Sequence, residues 1–169
     1  MPVSQTVNSD TYKATTPSDR DIVLTRLFDA PRSLLFDAMT KPEHVRRWWG
    51  CLDDRHSVPV CEIDLRPGGA WRFVGLGPEG EFAFHGEYRE IAAPGLLVFT
   101  EIFAPFPEVE SVVSSAFTEE GGKTRLTVTA RYPSREVRDA VLETGMTRGA
   151  GISYDRLEDL VQELQKGSR

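Results

Sequence analysis

Cysteine is scarce: two residues in 169, Cys51 and Cys61. They form no CxxC pair, which excludes a disulfide framework or a thiolate zinc site. So few thiols fit a reducing, cytoplasmic compartment. The three histidines, His44, His56 and His85, are scattered and make no HExxH or other ligand cluster, so no metal is expected. No apolar run reaches the ~18 residues of a membrane span. The first 21 residues are rich in Ser, Thr and Asp and hold no apolar core of a secretory signal. Basic charge is also short, with 20 Lys and Arg against 26 Asp and Glu, a net charge of −6. That argues against a nucleic-acid partner held by bulk charge.

What remains is ordinary globular material, 40% hydrophobic and 27% charged. The length fits one domain. Residues 1–20 are expected to form a flexible N-terminal extension, with Tyr12 touching the body, and residues 21–166 a single domain.

The run Ile22 to Phe28 has the length and β-branching of a strand, although its apolar residues do not alternate cleanly. Pro31 opens a short amphipathic helix over 31–39, and Pro42 opens a second that Gly50 ends. From Val58 the period becomes two. Six strands follow one another, separated by turns at Pro67-Gly68-Gly69, Gly77-Pro78-Glu79-Gly80, Pro94-Gly95 and Gly121-Gly122. Ser134 caps a short helix, and a long amphipathic helix runs from about Thr147 to Lys166. Gly149 and Gly151 weaken its first turns and are expected to serve close packing. Consecutive strands on short turns read as an antiparallel meander, and only the last helix is long enough to cover its apolar face. The fold class is α+β: a curved antiparallel sheet of about seven strands around a C-terminal helix, with two short helices after the first strand.

Several segments carry a resemblance. They are Arg26-Leu27-Phe28-Asp29-Ala30-Pro31 with Leu35-Phe36, Pro42-Glu43-His44 leading to Trp48-Trp49-Gly50, and Arg66-Pro67-Gly68-Gly69 with Trp71-Arg72-Phe73. Gly86-x-Tyr88, Phe99-Thr100-Glu101 and Gly145-Met146-x-x-Gly149 follow in order. Together they resemble the SRPBCC (START-like, helix-grip) superfamily, in the branch homologous to the C-terminal domain of the activator of the heat-shock chaperone ATPase. The resemblance spans roughly 22–165. It implies a helix-grip fold with an apolar cavity between sheet and helix. Members bind apolar molecules, some catalyse cyclisation or hydrolysis, and some stimulate a chaperone ATPase, so fold alone does not choose among these. Where such proteins commonly carry a tryptophan after the second glycine of Gly-Met-x-x-Gly, this chain has Ala150, which implies a larger or reshaped pocket.

Glycine-rich turns offer no phosphate site. Gly75-Leu76-Gly77-Pro78-Glu79-Gly80 matches GxGxxG but lies between strands, whereas a dinucleotide loop must open a helix. No cofactor is expected. The stronger signal is aromatic. Trp48, Trp49, Trp71, Phe73, Phe82, Phe84, Tyr88, Phe99 and Phe103 fall on elements that surround the space between sheet and helix. Ala150 and Tyr154 face it from the long helix. Plain core packing explains any one of them, while the set and the fold favour a ligand cavity. Glu101 shares strand parity with Leu97, Phe99 and Phe103 and is expected to point inward unless a bulge turns it to solvent. His56, in the polar loop Asp53-Asp54-Arg55-His56, is placed at a cavity mouth, and Cys51 is read as a partly exposed thiol. The leading expectation is a small hydrophobic or aromatic molecule as partner to a monomer or homodimer. The alternatives are contact with a heat-shock chaperone, or an aromatase, cyclase or hydrolase using Glu101 as acid–base group.

Overall fold

The computed structural model describes residues 11–167. Eight strands form one sheet: β1 (Tyr12–Thr15), β2 (Asp21–Phe28), β3 (Ser57–Ile63), β4 (Ala70–Gly77), β5 (Gly80–Ala92), β6 (Leu96–Phe103), β7 (Glu110–Glu120) and β8 (Lys123–Arg131). Their spatial order is β1-β2-β8-β7-β6-β5-β4-β3. Every neighbouring pair is antiparallel, as short connections require.

Two short helices, α1 (Arg32–Thr40) and α2 (Pro42–Trp48), link β2 to β3. Pro42 opens α2 as expected, while Pro31 stands one residue before α1 as its N-cap. The Trp48 indole N–H donates to the Ala38 carbonyl at 3.0 Å and locks the two helices together. After β8, Ser134 caps α3 (Arg135–Glu143) by accepting from the Val137 amide at 3.2 Å. The last helix, α4 (Met146–Gly167), buries Tyr154, Leu157, Leu160 and Val161 against the sheet's inner face.

In β2 the burial alternates strictly, with Ile22, Leu24, Arg26 and Phe28 inward. The sequence hid this alternation because one inward position carries Arg26. Its guanidinium lies 5.1 Å from the Phe28 ring and reaches Asp155 on α4 at 2.7 Å.

The expected extension over 1–20 is corrected at its C-terminal half. Tyr12–Thr15 forms β1 and pairs with β2 from Tyr12↔Arg26 to Thr15↔Val23. This is the strand beyond the seven expected. Tyr12 is buried, and its hydroxyl donates to the Thr147 carbonyl of α4 at 2.6 Å. Gly151 makes room for it: a Cβ there would stand 2.9 Å from the Tyr12 ring. Gly149 meets nothing within 4 Å, so only one of the two helical glycines serves close packing. Residues 1–10, the rest of the expected extension, lie outside the described residues.

Candidate functional site

One row across the inner face positions the chemistry. Trp71 on β4 pairs with Gly86 on β5. The neighbouring pair His85↔Ile102 sets Gly86 opposite Glu101 on β6, and Glu101 pairs with Ser111 on β7. Val112↔Arg131 then brings Tyr132, just past β8, beside Ser111. A Cβ at Gly86 would fall 1.8 Å from the Thr100 carbonyl oxygen. The Trp71 indole N–H donates to that same oxygen at 3.1 Å. Glycine therefore lets the indole lie across β5 towards Glu101.

The register shift in this hairpin lies between Tyr88 and Glu90, away from Glu101, which keeps its inward parity with Phe99 and Phe103. Arg72 stays on the outer face, 3.8 Å from Glu62, and does not reach Glu101. The Glu101 carboxylate makes no hydrogen bond or ion pair among the described residues. Protein encloses it, and burial pushes its pKa up to about 7. It nonetheless keeps a minor share of accessible surface. Its charge bears on two phenols, those of Tyr132 and Tyr154, whose own ionisation is opposed first by burial and then by neighbouring groups that include Glu101.

The aromatic residues expected around this space form a continuous chain of contacts. Tyr88 meets Phe99 at 6.2 Å between ring centres, Phe99 meets Trp71 at 5.5 Å, and Trp71 meets Phe73 at 4.8 Å. Trp49 then joins Phe73 at 5.2 Å to Phe84 at 5.7 Å, and Phe84 meets Phe103 at 4.9 Å. Trp48, Trp71, Phe73, Tyr88 and Tyr154 are buried, whereas Trp49, Phe84, Phe99 and Ala150 are half-buried. Trp48 belongs to a separate group, packed on Tyr154 at 6.3 Å under α2 and α4.

An open cavity of about 460 Å3 lies at one end of the grip, within the range of small-molecule sites. The loop at Leu52–His56, the β4–β5 turn, Phe82, and Arg148 and Ile152 of α4 form its walls. Of the residues singled out by sequence Phe82 lines it, whereas Trp48, Trp49, Trp71, Phe73, Phe84, Tyr88, Phe99, Glu101, Ala150 and Tyr154 do not. His56, expected at a cavity mouth, also lines it. Its Nδ1 is 3.0 Å from an Asp53 oxygen, and Arg55 bonds the same carboxylate at 2.8 Å, which holds Asp53 well below the usual carboxylate range. Gly75 and Gly77 of the β4–β5 hairpin stand where a side chain would collide with Phe82 and His56. The GxGxxG match is thus a hairpin whose glycines admit two cavity-wall rings. Phe82 also contacts Trp49 at 5.7 Å, which links the cavity wall to the aromatic chain.

Sequence reasoning missed Arg26, Tyr132, Arg148 and Ile152. Arg26 carried a readable signal, a charge at inward parity in an apolar strand. Arg148 and Ile152 carried none, because the cavity arises only where loop, turn and helix meet. Cys51 is buried, not partly exposed. Burial raises its thiol pKa and pushes that of Cys61 up to about 11, so both stay protonated near neutrality. Among the described residues no group of three His, Cys, Asp or Glu is disposed to hold a metal ion. No described helix is long and apolar enough to cross a membrane.

An open antiparallel sheet gripping a C-terminal helix, with aromatic rings and one enclosed carboxylate between them, defines a helix-grip protein. The family model described as "Activator of Hsp90 ATPase homolog 1-like protein" matches residues 29–162, and the chain belongs to this family. No curated protein matches the sequence. Among solved structures, a Mycobacterium smegmatis protein is 26% identical, covering 92% of this chain and 96% of that one at a TM-score of 0.79. A Rhodobacter sphaeroides protein is 24% identical over 90% and 99%, with a TM-score of 0.82. One from Nitrosomonas europaea is 24% identical over 89% and 99%, with a TM-score of 0.78. These similarities carry the fold.

Proposed function

We propose that the chain binds a small apolar or aromatic molecule between the sheet and α4, with Glu101 anchoring its polar group. The observation that carries this reading is the Glu101 carboxylate, mostly buried on the aromatic inner face with only a minor share of its surface open and no hydrogen-bonding partner in the protein among the described residues. Burying a polar group without a partner costs stability, so a fold that keeps one there has a use for it. The open cavity beside Phe82 is the entry side. A ligand that hides roughly 250 Å2 of apolar surface gains about 6 kcal/mol before the cost of its immobilisation, enough for useful affinity. Native mass spectrometry of gently purified protein tests the reading: a retained small molecule is the expected result. If none is retained, and naphthalene derivatives fail to perturb tryptophan fluorescence, the reading is wrong.

Membership of a family described by chaperone-ATPase activation favours a second reading, contact with a heat-shock chaperone through an exposed surface. It predicts faster ATP turnover when the protein is added to purified chaperone. An unchanged rate rejects it.

A further inference from the structure

Glu101 is an acid for which the described fold provides no cation. On its own strand Phe99 and Phe103 flank it, and Trp71 reaches towards it across Gly86. From β7, Ser111 spends its hydroxyl on the Glu101 backbone carbonyl at 3.2 Å. The end of β8 offers the Tyr132 phenol and α4 the Tyr154 phenol. The Tyr88 phenol of β5 stands in the next row, opposite Phe99. The inward faces of α1 and α2 hold Leu35, Phe36, Ala38, Val45 and Trp48, none of which titrates. Arg26 on β2 pairs with Asp155 through Nη1 and stands over the Phe28 ring, its Nε has no partner among the described residues, and no hydrogen bond or ion pair joins it to Glu101. The nearest basic side chain of β4, Arg72, lies on the other face of the sheet with Glu62. A carboxylate with aromatic residues on its own face of the sheet, two phenols within its electrostatic reach and no cation of its own is a setting in which a ligand ammonium is recognised. The acid supplies the counter-charge, and the rings supply attraction to the cation along with apolar contact.

From this geometry we infer that the ligand is an organic amine, bound as its ammonium ion with the cation at Glu101 and its apolar part among Trp71, Phe99 and Phe103. The inference rests on the binding reading above and adds the charge of the ligand. Because burial raises the Glu101 pKa to about 7, the anchor is charged in mildly alkaline solution and neutral in mildly acidic solution. An alkyl amine, with a pKa near 10, stays cationic throughout.

Three probes of similar shape test it: naphthylethylamine, the neutral naphthylethanol and the anionic naphthylacetate, titrated against the full chain by calorimetry. The amine is expected to bind at least about tenfold more tightly than the alcohol at about pH 8.5, with the acetate weakest. That preference is expected to vanish at about pH 5.5 in the native protein and at both pH values in Glu101→Gln. Far-UV circular dichroism and the thermal melting transition of Glu101→Gln show that the variant is folded. The pH comparison on native protein stands without the variant. Equal affinity for amine and alcohol at about pH 8.5, or an amine preference that survives Glu101→Gln, overturns the inference while leaving the binding reading intact. Failure of all three probes to bind overturns both.

Discussion

Glu101 sets the energetics at the residue scale. In the unfolded chain its carboxyl ionises near 4.5, and in the fold near 7. Between those values the native state holds more protons than the unfolded state, so stability falls as pH rises through that window. Above pH 7 the full penalty applies, on the order of 2 kcal/mol after allowance for the carboxylate's partial contact with water. Glu101→Gln should therefore stabilise the protein by about that amount at about pH 8 and by little at about pH 4.5. Chemical denaturation at the two pH values measures the difference, and equal effects at both would contradict it. Gly86 is the complementary case, since its missing side chain is what lets Trp71 reach the Thr100 carbonyl. Gly86→Ala forces the backbone of β5 and β6 apart and should cost roughly 2–4 kcal/mol. A loss within ±0.5 kcal/mol would show that the strands adapt freely.

β1 is the element that most changes the picture. Tyr12–Thr15 extends the sheet by one strand, and Tyr12 reaches across to hold the start of α4. Its ring meets Tyr154 at 6.0 Å, and Tyr154 in turn meets Phe28 at 6.0 Å. Tyr12→Ala should lower stability by about 3 kcal/mol through cavity formation and loss of the hydrogen bond. It should also speed amide exchange in the first turns of α4, where the Thr147 carbonyl loses that bond. Exchange confined to β1, with α4 unaffected, would show that the contact does not support the helix. The polar stretch Thr16 to Arg20 made this segment read as an extension, and four residues are too few for periodicity to register as a strand. The long helix, by contrast, was legible because its apolar stripe spans several turns.

For the molecule as a whole, the aromatic residues form a packed cluster that meets the open cavity at Phe82. Phe82 lines the open cavity and touches Trp49, which in turn touches Phe73 and Phe84. Trp49→Ala should cost about 2–3 kcal/mol of stability, since the indole is only half-buried. It should also accelerate release of naphthylethanol several-fold in stopped-flow fluorescence. An unchanged release rate would place the entry route elsewhere. The family, the meander of strands, the Ser134 cap and the long C-terminal helix were legible in the sequence, whereas the inward direction of Glu101 was settled only by a strand register whose shift lies at Tyr88 and Glu90. The legible properties follow from local periodicity, turn chemistry and the order of motifs along the chain. Folding in three dimensions sets the docking of β1 on β2 and the pairing of the inward Arg26 with Asp155 of α4. It also sets the open cavity among Leu52–His56, Phe82, Arg148 and Ile152, so that of the aromatic residues that stood out only Phe82 lines it. These depend on side chains brought together from distant segments, where register and enclosure set burial and protonation, and no spacing along the chain encodes such contacts directly.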